Sequence, residues 1–166
     1  MMISTIALSV IDLIEILQPF GNSVVSQIQQ NLAATGTDAT GQTSRSLKYT
    51  VTQEGTNTIF QVTGRPYFMT VETGRRATPS YKPSREFVAR IQAWMTARGL
   101  PGKAYGIAQA IHKKGTELYR SGGRTDIVTN VINQSLYDQI ANAVLKKFVN
   151  QYVTTIANSN QQTTRA

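Results

Sequence analysis

Apolar residues open the chain at helical intervals. Ile3, Ile6, Ala7, Val10, Ile11, Leu13, Ile14 and Leu17 fall on one stripe, and Asp12, Glu15 and Gln18 fall off it. Pro19 follows, and a proline inside a helix removes a donor and crowds the preceding turn. Phe20, Val24, Ile28 and Leu32 then resume the stripe at intervals of four. The pattern predicts a helical arm over residues 1–34, either one broken helix or two in tandem. Its first half is apolar enough to pack under a sheet or on a neighbouring subunit.

The period then changes. Leu47, Tyr49 and Val51 alternate with Lys48, Thr50 and Thr52, and Ile59, Phe60 and Val62 follow the turn residues Glu54–Asn57. This predicts an antiparallel hairpin within residues 45–64. Two strands are marginal alone in water, so the hairpin must pack on helices or join a sheet completed by another copy. Thr35–Ser44 reads as a loop.

Helical signals return after the hairpin. Pro66 can open a short helix over Tyr67–Thr73 that Gly74 ends. Arg75–Pro83 is a loop stiffened by Pro79 and Pro83. Ser84 is a good N-cap for a helix facing inward through Phe87, Ile91, Trp94 and Met95 and ending at Gly99. Trp94 is expected as a core anchor. Beyond Pro101-Gly102, Ile107, Ala108 and Ile111 mark another helix. Thr125 or Asp126 caps the last helical region, where Leu136, Ile140, Val144, Phe148, Tyr152 and Ile156 repeat every four residues. Residues 159–166 read as a disordered polar tail. The expected fold class is α+β: a single domain over residues 1–158, with a small antiparallel sheet, several packed helices and long N- and C-terminal helices.

Charge singles out one stretch. The net charge is +8 over 166 residues, yet Arg65–Arg124 holds twelve Lys/Arg against three Asp/Glu. All of the excess lies there, which points to an acidic partner. There is no Cys, so disulfides, cysteine–zinc sites and a cysteine nucleophile are excluded. Met1–Leu17 has no basic residue before its apolar run, and Asp12 and Glu15 interrupt it. It is therefore expected to be neither a signal peptide nor a membrane span.

Candidate chemistry is sparse. His112 is the only imidazole, with Glu117 the only acid within ten residues, and reads as a solvated helix position. No nucleophile elbow or phosphate-binding glycine loop occurs. No enzyme activity, metal or cofactor is expected. Glu72 stands near a helix C-terminus, where a carboxylate is disfavoured. It is expected to pair with Arg75 or Arg76 and organise the loop. Arg75, Arg76, Lys82, Arg85 and Arg90, with Tyr67 and Tyr81 among them, could bind phosphates and stack on bases. The interface candidates are Glu72, Arg75, Arg76, Tyr81, Lys82 and Arg85.

The order of the short motifs resembles one family. Thr40-Gly41 with Ser46-Leu47 precedes the hairpin. Tyr67…Glu72-Thr73-Gly74-Arg75 follows it, and then come Pro79 and Pro83, Ile91…Trp94, Gly99, Ile107-Ala108…Ile111 and Lys114-Gly115-Thr116. Over about half the chain, from Ala39 to Thr116, this is similar to the head–tail joining and tail-completion proteins of tailed bacteriophages. The resemblance implies a neck or connector ring protein in the virion, made in the bacterial host cytoplasm. It would be a homo-oligomer of sixfold or twelvefold symmetry, in contact with the portal or an adaptor ring and with tail proteins. Such a ring joins the portal to the tail and lines or surrounds the DNA channel, with possible non-specific contact to packaged DNA and none to membrane. The rival reading is a basic nucleic-acid-binding module outside any virion. Salt separates the two, because phosphate binding weakens steeply as salt rises.

Overall fold

Pro19 does not break the first helix. In the computed structural model, which describes residues 10–55, 57–78 and 82–163, helix α1 runs unbroken over Val10–Ala34 with Pro19 inside it. Proline forfeits one backbone bond, and the buried stripe of Leu17, Val24, Ile28 and Leu32 continues on either side of it. The start of the expected arm, residues 1–9, lies outside the described residues.

The chain is α+β. After α1 come α2 (Gln42–Ser46), strands β1 (Lys48–Glu54) and β2 (Asn57–Thr63), α3 (Thr70–Thr73), α4 (Arg85–Ala97), α5 (Ala104–Lys114), α6 (Glu117–Arg120) and α7 (Gln134–Thr163). The two strands form one two-stranded sheet. The chain divides into two compact units, and the boundary falls inside α1 after Val24.

The first unit holds the start of α1, the hairpin residues Tyr49–Val62 and the chain from Ile132 onward. Alternation in the strands holds: Tyr49, Val51, Phe60 and Val62 are half-buried between exposed neighbours. The Tyr49 and Phe60 rings meet with centroids 6.2 Å apart, tilted by 33°. Gly21 in α1 makes room for the Tyr49 ring, since a Cβ there would lie 2.3 Å from Tyr49 Cδ2. That approach explains a glycine inside a helix, where it is less favourable than alanine by about 1 kcal/mol. Asn133 caps α7 by accepting from the Leu136 amide at 3.1 Å. The expected caps lie upstream of the helix: residues 126–130 form turns, and Asp126 instead pairs with Arg124. With no Gly or Pro to stop it, α7 continues through Thr163, past the point where composition predicts a disordered tail.

The second unit holds Val25–Lys48 and Thr63–Val131. Its buried apolar residues include Ile28, Leu32, Leu47, Phe87, Met95, Ala108, Ile127 and Val131. Ser84 caps α4 as expected, accepting from Phe87 N. Helix α4 packs on α5, whose small Ala104 and Ala108 allow close approach. Two expectations fail here. The buried line of α4 is Phe87 and Met95, while Trp94 lies on its flank and is 36% exposed. His112 continues the Ala104–Ala108 line one turn further and is buried, not solvated. The expected loop 35–44 also contains the start of α2. The Asp38 carboxylate accepts from Ser44 N at 2.7 Å, and Gln29 Nε2 donates to Ser44 O at 2.9 Å.

Candidate functional site

The chain enters the site through a turn, where the sequence predicts helix. Phe68 N donates to Arg65 O at 2.9 Å across Pro66-Tyr67. Tyr67 takes φ 67°, the only positive value outside glycine among the described residues. A type II turn with Pro at its second position requires positive φ at its third, and Gly or Asn normally supplies it. A tyrosine there is strained by about 1–2 kcal/mol. Only then does the single helical turn α3 follow.

Gly74 ends α3 at φ 68°. A Cβ on it would lie 2.4 Å from Tyr119 N and 2.6 Å from Thr116 Oγ1, so the position tolerates only glycine. Beyond it the loop is tied to the end of α5. Thr116 N donates to Arg75 O at 2.8 Å, Arg75 N donates to Thr116 Oγ1 at 2.9 Å, and Thr78 N donates to His112 O at 2.8 Å.

Glu72 does not hold an arginine. It is buried at 2% exposure, and its carboxylate accepts from three successive amides. Oε1 takes Ile127 N at 2.8 Å, Val128 N at 2.6 Å and Thr129 N at 3.1 Å, while Oε2 takes the Thr129 hydroxyl at 2.6 Å. Arg124 N donates to the Glu72 carbonyl at 2.9 Å. Burial alone would raise the carboxyl pKa. The Thr129 hydroxyl and then the amides outweigh that and hold it below the ordinary carboxylate range. The expected ion pair organising the 75–83 loop is therefore replaced by hydrogen bonds to the backbone of residues 127–129. Asn31 Nδ2 binds the same segment at Ile127 O, 3.0 Å away.

The Arg75 guanidinium lies 3.7 Å above the centre of the Phe87 ring. The group is half-buried, and burial first, then the charge of Arg90, lowers its pKa from the ordinary value. Arg75 and Arg76 line a cleft of about 780 Å³ together with Arg65, Tyr67, Phe87 and Arg90. Lys82 and Arg85 are exposed and do not line it, and Tyr81 lies outside the described residues. Arg65 carried no signal in the sequence beyond its charge. The Pro-Tyr pair beside it, read in the sequence as a helix start, forms the turn instead.

A second surface belongs to the first unit. Leu145, Phe148, Val149, Tyr152, Val153 and Ile156 are each between 39% and 59% exposed on α7. At 100° per residue they share an arc of about 140° on one side of the helix. From Phe148 to Thr164 the chain carries no charge. Contiguous exposed apolar surface of this kind is a candidate interaction site.

Among the described residues no group of His, Asp and Glu is placed to hold a metal ion. No described helix is long and apolar enough to cross a membrane. No family model, curated protein or solved structure matches the chain.

Proposed function

We propose that this chain is a non-enzymatic structural subunit of a bacteriophage virion. It forms an oligomeric ring at the head–tail junction, joins the portal to the tail, and surrounds the DNA channel. The observation that carries the reading is the exposed, uncharged apolar face of α7. The unit bearing it buries few apolar side chains of its own; Leu17, Val24 and Leu136 are the buried ones among the described residues. A face without charge can meet another copy of the chain without like-charge repulsion, which Arg65–Arg124 could not do. A head-to-tail contact, in which this face meets a different surface of the next copy, gives a ring where the rotation between copies closes. The arginine-rich second unit is then available for the neighbouring ring or for the lumen.

Native mass spectrometry with negative-stain microscopy tests this. The expected result is one closed ring whose mass holds as salt rises, since apolar packing is little screened. V149K/I156K should leave a folded monomer, because each lysine places a charge in the buried seam. A wild-type chain that stays monomeric and binds DNA in a steeply salt-dependent way would support the nucleic-acid module instead.

A further inference from the structure

The cleft of the second unit has an unbalanced charge. Four guanidinium groups line it against a single carboxylate, Glu86. Arg90 lies 3.8 Å from Glu86 in an exposed pair, and Arg65 donates to the Gln42 side chain. Among the described residues, no carboxylate stands within ion-pair distance of Arg75 or Arg76.

Arg75 is the least solvated of the four. One face of its guanidinium lies on Phe87, and Thr116 holds its backbone on both sides. A partly desolvated cation without a counterion is unfavourable, and its fixed fork is ready for a bidentate acceptor. Around it the walls are apolar: Phe68, Val71, Ile91 and Ile111. At the rim Tyr67 is 74% exposed in its positive-φ turn. Strain retained at an exposed aromatic is a pointer to use, since glycine there would remove it.

We propose that this cleft docks a protein segment carrying a carboxylate beside an apolar side chain. Arg75 takes the carboxylate through its fork, the apolar wall takes the neighbouring side chain, and Tyr67 packs over it. The volume lies within the range of ligand pockets and fits a few residues. Single-stranded nucleic acid is the poorer match, because its binders set exposed cations along an open groove. Here the central cation is half-buried beside apolar walls, which suit a side chain. The proposal concerns one subunit and does not rest on ring assembly.

The test uses the full chain and an array of capped hexapeptides that combine Asp or Glu with Leu, Phe or Tyr. Each has a copy with Asn or Gln in place of the acid, and an oligothymidylate serves as competitor. Acidic peptides should bind at least about tenfold more tightly than their amide copies. R75K keeps the charge but loses the fork and the flat stack, and should weaken acidic peptides about tenfold. Should R75K fail to fold by circular dichroism, the exposed variant R76M must weaken the same peptides. Y67G should melt higher than wild type and bind less. The proposal is overturned if no acidic peptide binds, if amide copies bind equally, if a folded R75K binds like wild type, or if oligothymidylate displaces the peptides. None of these results bears on whether the chain forms rings.

Discussion

Glu72 shows how one residue can be conspicuous in sequence for a reason that the fold changes. Its position before Gly74-Arg75-Arg76 suggests a local ion pair, but its partners are 55 to 57 residues away. Because the carboxylate is charged and the donors are buried amides, E72Q should destabilise the protein by roughly 2–4 kcal/mol in a denaturant titration. The pH dependence follows in sign. The folded pKa lies below the ordinary 4.5, so the contribution is fully present above that value and is lost as pH falls through the folded value. Asp38 is shifted in the same direction: burial would raise it, but the Ser44 and Thr43 donors prevail. E72Q should therefore reduce the loss of stability below about pH 4.5 without abolishing it, as acid titration of the two proteins would show. His112 is the opposite case. It is buried, and its Nδ1 has no hydrogen-bond partner among the described residues. Leucine at that site would remove an unsatisfied polar atom, so H112L should match or exceed wild-type stability by up to about 1 kcal/mol. A loss of more than about 2 kcal/mol would show that the imidazole makes a bond through water.

At the level of elements, periodicity predicts correctly where neighbours along the chain decide the outcome. The hairpin, the Ser84 cap and the α4–α5 pair follow from alternation, a hydroxyl before an apolar run, and Gly-Pro punctuation. It fails where side-chain hydrogen bonds or an unusual backbone angle decide. The α2 turn forms because Asp38 and Gln29 bind Ser44, and Tyr67 sits in a turn where Pro66 alone suggests helix. The link between α3 and the end of α5 depends on Gly74. G74A combines positive-φ strain with a backbone clash against Tyr119, and should cost roughly 2 kcal/mol or more. Because the loss starts at Arg75, its thermal melt should fall together with peptide binding. A variant that melts like wild type would mean that the loop shifts as a body to make room.

For the molecule as a whole, the decisive prediction is that assembly follows α7 and not the basic segment. V149K/I156K should abolish rings at every salt concentration, while R75K and R76M should leave ring mass unchanged. The α+β class, the hairpin, the α4–α5 pair, the long terminal helices and the concentration of charge in Arg65–Arg124 were all determined by the sequence. Each depends on local conformational preference or on a plain count of charges. Tertiary structure alone decided three other things. It turned Glu72 inward toward the amides of residues 127–129. It set Arg75 on Phe87 and added Arg65 and Arg90 to the same cleft. And it determined which stripe of α7 is covered: Leu136 is buried, while Phe148, Tyr152 and Ile156 of the same four-residue repeat stay exposed. The reason is physical. A repeat of four drifts by about 40° per step around a helix with 3.6 residues per turn, so a stripe that starts inward ends outward. Which part meets protein depends on how far the packed neighbours extend, and no local pattern records that length.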